Sequence, residues 1–403
     1  MKLKTIIASA LCYLAFVGCN DATEYTPSVY ITEAQHENVK MSVVDGEGAE
    51  ISFTVTSAQP VATDTHITLV AEPELVSEYN KNTGREAIAL ENFEFAKTDV
   101  IIPAGKNVSE PVNIVVEQEL KEGTFYCIPV KIASVSTGMP VLEPSGKLFL
   151  VFRAPVKSKA VYIGRNNKCM VPTFSEKRTF GDIDLNAVPE VTLECRVYVN
   201  DFKKSDPYIT SIMGYEGNLC MRFGDVKIGW DVLQVCKGDY QPAAINAPCA
   251  TNKWYHVATV WSKNSMKVYI DGRLVAEQKN LGEPIDLAGW HHMNMRSRIG
   301  FGLGCASVYN GNRPLNGYLG EARVWTRALS GAEIANINDL VVVDPQSEGL
   351  LAYWKMSDCE VLSEPYYSEE LQHRYANRIP DHTGHGYDAY GDGSNLEYLD
   401  TKW

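Results

Sequence analysis

The chain has 403 residues, and 37 Lys and Arg against 50 Asp and Glu give a formal net charge of −13. This length is too great for one ordinary compact domain and suits two. Charged residues make up 22% and hydrophobic residues 45%, which is a globular composition. The acidic balance argues against nucleic acid as a partner, because phosphate binding needs a basic face. It also argues against electrostatic attachment to anionic lipid.

The first nineteen residues are predicted to be a targeting segment. Two lysines precede an apolar run at residues 6–17, which is too short and too close to the start for a stop-transfer helix. The run ends in a Gly followed by Cys19, which resembles a bacterial lipobox whose Cys is acylated after cleavage. The acidic residues that follow resemble an export signal of Bacteroidota-type surface lipoproteins. We expect lipidation at Cys19, with acyl chains holding the protein at the outer membrane, on the cell surface; an ordinary secretory signal is the alternative.

Eight cysteines remain beyond Cys12 and Cys19. An envelope protein meets an oxidising compartment, so disulfides are allowed. The spacing contains no CxxC and no zinc pattern. Several of these residues lie in strand-like runs, where an unpaired Cys acts as a small hydrophobic residue. Two alternatives therefore stay open: mostly unpaired core cysteines, or one or two bridges.

After the targeting segment the chain consists mainly of short strand-like runs. About eight such runs occupy residues 26–154, with β-branched and aromatic residues in frequent alternation and with Gly, Pro or Asn in the gaps. This density predicts a β-sandwich domain over residues 20–154. The segment ELVSEYNKNTG, which ends at Gly84, predicts a short helix or an ordered loop.

Three segments of this region carry a family resemblance. They are VSEYNKNTG (76–84), VIIPAGK (100–106) and GTFYCIPV (123–130). In their order and spacing they resemble the N-terminal domain of unknown function of surface lipoproteins from polysaccharide-degrading gut bacteria. In that family the domain is Ig-like and precedes a lectin-like module or a glycoside hydrolase. The resemblance implies an Ig-like spacer or accessory module.

A second β domain is predicted over residues 158–403. Residues 153–160 (RAPVKSKA) have the composition of a linker, and alternating strands resume after them. Nine or more strand-like runs with one helix predict a large jelly-roll sandwich. In the helical pattern LSGAEIANINDL, Ser330 can cap the start and Glu333 follows three residues later, which predicts a capping box.

Six segments of this half carry a second family resemblance: KWYHVA (253–258), VYIDG (268–272), RIG (298–300), GYLGEARVWTRALS (317–330), LAYWKM (351–356) and DHTGHG (381–386). In their order they resemble the laminin-G-like, concanavalin-A-like superfamily. The last two segments more often open such a domain and here close it, so we expect a rotated strand order. In VYIDG, Asp271 and Gly272 have the residue types of a type I′ hairpin turn. The predicted fold class is all-β, with an N-terminal Ig-like sandwich followed by a concanavalin-A-like jelly roll.

Catalytic chemistry is poorly represented in the sequence. A retaining glycosidase needs two carboxylates about 5 Å apart. The chain lacks an ExDxxE triplet, the motif that the resemblance to jelly-roll hydrolases would imply. Glu190 and Glu194 form a possible pair on one strand, but Glu190 stands at the start of that strand. The chain has no GxSxG nucleophile elbow, and His256 within a strand is better explained as a structural His. We therefore expect no enzymatic activity.

Two loops carry side chains that suit glycans, whose CH faces stack on rings and whose hydroxyls hydrogen-bond to polar groups. The loops span residues 289–297 and 305–316, and we expect them at one rim of the sandwich, where binding groups commonly lie. The predicted glycan-binding residues are Trp290, His291, Asn294, Tyr309, Asn310 and Arg313. The alternative for the two rings is a structural one: Trp290 would cover the sandwich end, and Tyr309 would pack in a turn.

Calcium is a further expectation, because laminin-G-like domains often hold it through carboxylates and backbone carbonyls. The resemblance implies Asp381 and Asp388, around the DHTGHG turn, as its ligands. The alternative is that Asp381 only caps that turn.

Taken together, the sequence predicts a non-catalytic, lipid-anchored surface lectin of a polysaccharide or glycoprotein-glycan utilisation system. Its expected partners are a glycan ligand, the outer membrane through the lipid anchor, and components of an outer-membrane glycan transporter. Two alternatives stay open, namely a protein-binding or scaffolding surface module and a jelly-roll glycoside hydrolase.

Overall fold

The computed structural model describes residues 27–46, 48–237, 247–279, 282–294, 297–306 and 313–403, with the backbone alone for residues 293, 294 and 297. Three α-helices lie among these residues: α1 (Val76–Thr83), α2 (Pro172–Lys177) and α3 (Gly331–Leu340). No helix of the described ranges is both long and apolar enough to cross a membrane.

The N-terminal domain is a β-sandwich. Its strands are β1 (Val29–Ile31), β2 (Val39–Val43), β3 (Ala49–Phe53), β4 (Val55–Ser57), β5 (Thr65–Ala71), β6 (Ile88–Ala89), β7 (Phe93–Phe95), β8 (Asp99–Ile102), β9 (Val112–Val116), β10 (Tyr126–Val135) and β11 (Lys147–Arg153). One sheet has the order β2-β11-β10-β5-β8, with β6 beside β10, and a smaller sheet has the order β3-β9-β7. Alternate residues of both sheets form one buried core, as period-two patterning requires.

The second domain is a larger sandwich. Its strands are β12 (Lys157–Ile163), β13 (Cys169–Met170), β14 (Thr179–Phe180), β15 (Ile183–Asp184), β16 (Val191–Val199), β17 (Thr210–Tyr215), β18 (Leu219–Asp225), β19 (Ile228–Lys237), β20 (Trp254–Trp261), β21 (Ser265–Ile270), β22 (Arg273–Lys279), β23 (His291–Asn294), β24 (Ser297–Ile299), β25 (Phe301–Leu303), β26 (Gly317–Trp325), β27 (Leu350–Trp354), β28 (Glu360–Ser368), β29 (His373–Ile379), β30 (Ala389–Gly391) and β31 (Tyr398–Lys402).

Two sheets of this domain face each other. The back sheet has the order β22-β21-β20-β16-β26-β12-β31, with β27 beside β26, and the front sheet has the order β19-β18-β17-β25-β13-β30-β29-β28. The core between them includes Leu193 of the back sheet and Phe223 and Leu303 of the front sheet, all fully buried. The predicted all-β class and the jelly-roll layering are confirmed.

Local sequence signals are matched closely by the structure. Ser330 accepts a hydrogen bond from the Glu333 amide and Glu333 accepts one from the Ser330 amide, so the predicted capping box is present at α3. Gly84 ends α1 in the left-handed conformation at φ 69°, which glycine adopts without strain. Asp271 and Gly272 have φ values of 48° and 74°, as a type I′ turn requires.

The predicted linker over residues 153–160 is too long. Strand β11 continues to Arg153 and β12 begins at Lys157, so only three residues connect the domains, and all three, Ala154, Pro155 and Val156, are buried. The junction is also held from the side: Arg85 of the N-terminal domain forms an ion pair with Asp339 of α3. The two domains therefore share a packed junction.

Candidate functional site

The two loops predicted to bind glycan reach the same turn of the front sheet, the turn between β17 and β18. In the first loop, His291 Nδ1 lies 3.0 Å from the hydroxyl of Tyr215, at the start of this turn. After the second loop, Arg313 forms an ion pair with the carboxylate of Glu216, the next residue of the turn. The described ends of both loops therefore lie at one rim of the sandwich.

A compensated charge cluster lies at this turn, and we call it the Arg222 hub (Arg222, Glu216, Asp225, Gln234 and Arg313). Arg222 is 6% exposed and donates to Glu216 at 3.1 Å, Asp225 at 2.6 Å and Gln234 at 3.0 Å. Burial lowers the pKa of Arg313, and nearby Asp206 opposes that shift. Because each charge has an opposite partner, the hub holds the rim in one geometry.

His291 is exposed and is poised to exchange hydrogen bonds. Partial burial, and then the neighbouring His292, lower the pKa of His291 below its ordinary value near 6.5, so its imidazole is neutral at pH 7. A neutral imidazole offers one donor and one acceptor. Burial raises the pKa of Tyr215 to about 12, which keeps the hydroxyl beside His291 protonated.

Trp290 is engaged by its own protein. The guanidinium carbon of Arg298 lies 3.8 Å from the centre of its ring, and its Nε1 donates to the carboxylate of Glu370 at 3.0 Å. The half-buried ring also packs on a cluster that includes the buried Leu371 and Tyr375. This geometry favours the structural alternative for Trp290, in which the ring covers the sandwich end.

Three other predicted glycan-binding residues cannot be placed. Tyr309 and Asn310 lie outside the described residues, and for Asn294 only the backbone in β23 is described. Their predicted role stays a prediction.

A cleft of about 350 Å³ opens beside residues 314–316, which directly follow Arg313, and we call it the rim cleft. Its lining combines two aromatic rings, an amide, a carboxylate, cationic groups and hydroxyls, from Tyr162, Arg165, Asp201, Phe202, Lys203, Ser205, Thr210, Pro314, Leu315 and Asn316. Its volume lies in the range of about 300–1,000 Å³ that is usual for small-ligand sites. Tyr162 donates from its hydroxyl to Asn316 Oδ1 at 3.2 Å.

Strand pairing explains why this cleft forms. The antiparallel strand β26 begins at Gly317, which lies opposite Ile163 at the end of β12 and opposite Val199 at the end of β16. The ends of β12 and β16 and the start of β26 therefore meet at one edge of the back sheet. The loops that leave them supply the groups of the rim cleft, while Thr210 of β17 closes it from the front sheet.

The chemistry of the rim cleft suits a polyhydroxylated ligand. Asp201, Arg165 and Asn316 are exposed, so their donors and acceptors can replace water around hydroxyl groups. Tyr162 is half-buried and makes an edge contact with Tyr318 at 5.6 Å between ring centres, which holds the ring in place. Among the described residues of the lining, Asp201 is the one carboxylate, whereas glycoside hydrolysis uses a pair.

Sequence reasoning missed most of the rim cleft. It placed Asn316 within the second loop but did not select Tyr162, Arg165 or Asp201. A signal was available, since polar residues follow two strands, β12 and β16, at the end where β26 begins. Reading it required knowledge that β26 pairs with both strands, and only the topology supplies that pairing.

The carboxylates of the predicted calcium ligands are occupied by donors from their own turn and from two neighbouring strands. Asp381 accepts from the amides of Thr383 at 3.0 Å, Tyr387 at 3.0 Å and Tyr353 at 3.1 Å. Asp388 accepts from the Asp381 amide at 2.8 Å and forms an ion pair with Arg378. This donor set does not fit a calcium ion, and it matches the turn-capping alternative for Asp381. Among the described residues, no group of three or more His, Cys, Asp or Glu side chains is arranged to hold a metal.

Glu194, one of the two carboxylates considered for catalysis, lies away from the rim cleft. Glu194 is fully buried on the back sheet, where it accepts from Arg323 at 3.1 Å and from His256 at 2.9 Å. Burial tends to raise the pKa of Glu194, but Arg323 and His256 outweigh it and hold that pKa below the ordinary value. Arg323 also donates to the Val341 carbonyl just after α3, so this network fastens α3 to the sheet.

Comparison with known families agrees with the two-domain fold. Residues 175–335 match the model of the concanavalin A-like lectin/glucanases superfamily, of the laminin G type. Residues 25–139 match a family model that describes an N-terminal domain. The second domain is therefore a concanavalin A-like domain. No curated protein matches the chain in sequence.

Three solved structures illustrate the range of structural similarity to this chain. A candidate carbohydrate-binding protein from Bacteroides ovatus ATCC 8483 is similar over 93% of this chain and 99% of its own, with 23% identity and a TM-score of 0.50. EndoBT-3987 from Bacteroides thetaiotamicron is similar over 31% of this chain and 30% of its own, with 18% identity and a TM-score of 0.26. A pentraxin from Limulus polyphemus is similar over 45% and 82%, with 14% identity and a TM-score of 0.29. The first likeness shows a shared fold, and the other two are too low to support an inference.

Proposed function

We propose that this protein is a non-catalytic glycan-binding lipoprotein of the outer cell surface. Lipid chains on Cys19 would anchor it, the N-terminal domain would act as a spacer, and the concanavalin A-like domain would hold a polysaccharide or glycoprotein glycan. In this role it would work beside an outer-membrane glycan transporter and hydrolases. The Bacteroides ovatus protein of the same fold, a candidate carbohydrate-binding protein, supports the ligand class.

The observation that carries the proposal is the composition of the rim cleft. A half-buried ring, Tyr162, stands beside an amide, a carboxylate and cationic groups in a cleft of about 350 Å³. Rings stack on the CH faces of sugars, and the polar groups can hydrogen-bond their hydroxyls. The Arg222 hub lies next to this cleft through Arg313. It would keep the rim rigid, so that little conformational entropy is lost when a ligand binds.

The single carboxylate of the lining supports the absence of catalysis in this proposal. Asp201 has no second carboxylate beside it among the lining residues that the structure describes, and Glu194 is buried in the back-sheet network. Incubation of a glycan panel with the protein should release no product. Turnover of any glycan in that panel would instead support the hydrolase alternative.

A glycan array with residues 21–403 tests the ligand class, and Asp201→Ala tests the site. Asp201 is exposed and its ion pair with Lys204 is also exposed, so its loss should leave stability nearly unchanged. Its loss from the cleft should weaken binding of the array hit by roughly tenfold, about 1.4 kcal/mol. Asp400→Ala makes the same charge change at an exposed position of β31 and should bind normally.

Two outcomes would contradict these assignments. Normal glycan binding by Asp201→Ala would show that the glycan does not bind in the rim cleft. An array without any hit, together with capture of a purified surface protein, would favour the scaffolding alternative.

A further inference from the structure

Two of the cysteines face each other across neighbouring strands of the front sheet. Cys220 of β18 and Cys236 of β19 are direct partners in the antiparallel register, and their sulfur atoms lie 3.1 Å apart. Directly opposed residues on antiparallel strands have Cα atoms about 4.5–5.5 Å apart. A disulfide joins Cα atoms about 4.4–6.8 Å apart, so the backbone need not move to form one.

We infer that Cys220 and Cys236 form a cross-strand disulfide in the exported protein. This inference rests on the export step of the proposed function, because disulfides persist in oxidising compartments and not in the cytosol. The sequence left open whether any bridge exists, and this register selects one pair. The Cys305 sulfur lies next to two groups that are not thiols: it is 3.1 Å from the Cys169 carbonyl oxygen and 3.5 Å from the Met170 sulfur.

The chemistry is thiol–disulfide exchange with an external disulfide. One thiolate of the pair attacks a sulfur of the oxidant, forms a mixed disulfide and releases one thiolate of the oxidant. The second protein thiol loses its proton and attacks the mixed disulfide at the protein sulfur, which releases the other half of the oxidant. Two protein thiols are oxidised and one oxidant disulfide is reduced to two thiols. The hydrogen bond from Cys220 and the charge of Arg222 lower the pKa of Cys236 against the opposing effect of burial, which favours Cys236 as the first nucleophile.

The bridge would act on the Arg222 hub. The next same-face pair along these strands is Arg222 and Gln234, which are also direct partners in the register. Arg222 connects through Glu216 to Arg313 at the edge of the rim cleft. A covalent link two residues away on each strand would therefore fix the spacing of the strands that carry the hub.

Alkylation in denaturant tests the inference on the full chain recovered from the cell envelope. Of the eight cysteines after Cys19, six should be alkylated without reduction and all eight after reduction. A peptide map should show the Cys220 and Cys236 peptides joined. As a second measurement, purified protein should form the same bridge with oxidised glutathione, which does not depend on export or on glycan binding.

Thermal unfolding separates the bridge from loss of a buried thiol. The bridge closes a loop of 16 residues, so its removal should lower Tm by roughly 5–10 °C. Reductant should lower Tm in the wild type but not in Cys220→Ala/Cys236→Ala, and the buried control Cys249→Ala should still respond to reductant. Eight alkylated cysteines in unreduced envelope protein would overturn the inference. If oxidised glutathione still joined the pair in that case, the error would lie in the proposed location, and the glycan array would remain a separate test of function.

Discussion

Replacement of Trp290 by Ala decides whether this ring binds sugar or supports the fold. The substitution removes the stacking of Arg298 at 3.8 Å, which contributes about 1 kcal/mol at a partly exposed site. It removes the hydrogen bond to the Glu370 carboxylate, worth about 1 kcal/mol given that Glu370 is about one-third exposed. Loss of the half-buried ring surface over Leu371 adds about 1 kcal/mol. We therefore expect the free energy of unfolding to fall by about 2–3 kcal/mol.

Chemical and thermal denaturation measure the loss of stability, and a binding assay with the glycan found on the array measures the change in affinity. For a domain of this size, the loss corresponds to a Tm decrease of roughly 5–10 °C, while glycan affinity should change less than about twofold. Trp230 is 45% exposed, so Trp230→Ala is the matched control and should change stability by less than about 0.5 kcal/mol. If Trp290→Ala were as stable as that control and bound glycan tenfold more weakly, the structural explanation would be wrong and the ring would be a stacking platform.

Three further predictions concern the back-sheet network, the anchor and calcium. Glu194→Gln should destabilise the protein by about 3 kcal/mol in urea titrations, because it removes one of the two carboxylates that pair with the buried Arg323. The more exposed Glu190→Gln should cost less than about 0.5 kcal/mol, and equal effects would refute the network. Cys19→Ala should move the protein from the membrane fraction to the soluble fraction with unchanged Tm, and a wild type that is already soluble would contradict the anchor. Excess EDTA should leave Tm unchanged, since Asp381 is satisfied by amides of its own turn, and a clear decrease in Tm would restore the calcium expectation.

Features that depend on a few neighbouring residues could be predicted from the sequence. Alternation of apolar and polar residues indicated the strands, because one strand's side chains alternate between core and solvent. The capping box of Ser330 and Glu333 and the turn at Asp271 and Gly272 also proved correct. Each of these depends on backbone geometry within four residues, so no distant partner was needed.

The site was harder to predict because its members are far apart in the chain. Tyr162, Asp201 and Asn316 come together only because β26 pairs with both β12 and β16. Trp290 was selected for its exposed-loop composition, but the residues that cover it, Arg298 and Glu370, belong to β24 and to the segment between β28 and β29. Loop composition alone does not distinguish an aromatic ring that is free to stack on a ligand from one that packs against the protein itself.

The sequence by itself therefore determined the two-domain, all-β character of this protein and the positions of α1 and α3, although not of α2, since periodicity and turn chemistry are local properties. Only the tertiary structure decided which residues share a surface. It brought Cys220 opposite Cys236, buried Glu194 beneath α3 with Arg323, and assembled the rim cleft at one edge of the back sheet. The physical reason is strand register: hydrogen-bonded pairing between distant segments fixes which side chains meet, and one residue of slip would turn every side chain to the opposite face.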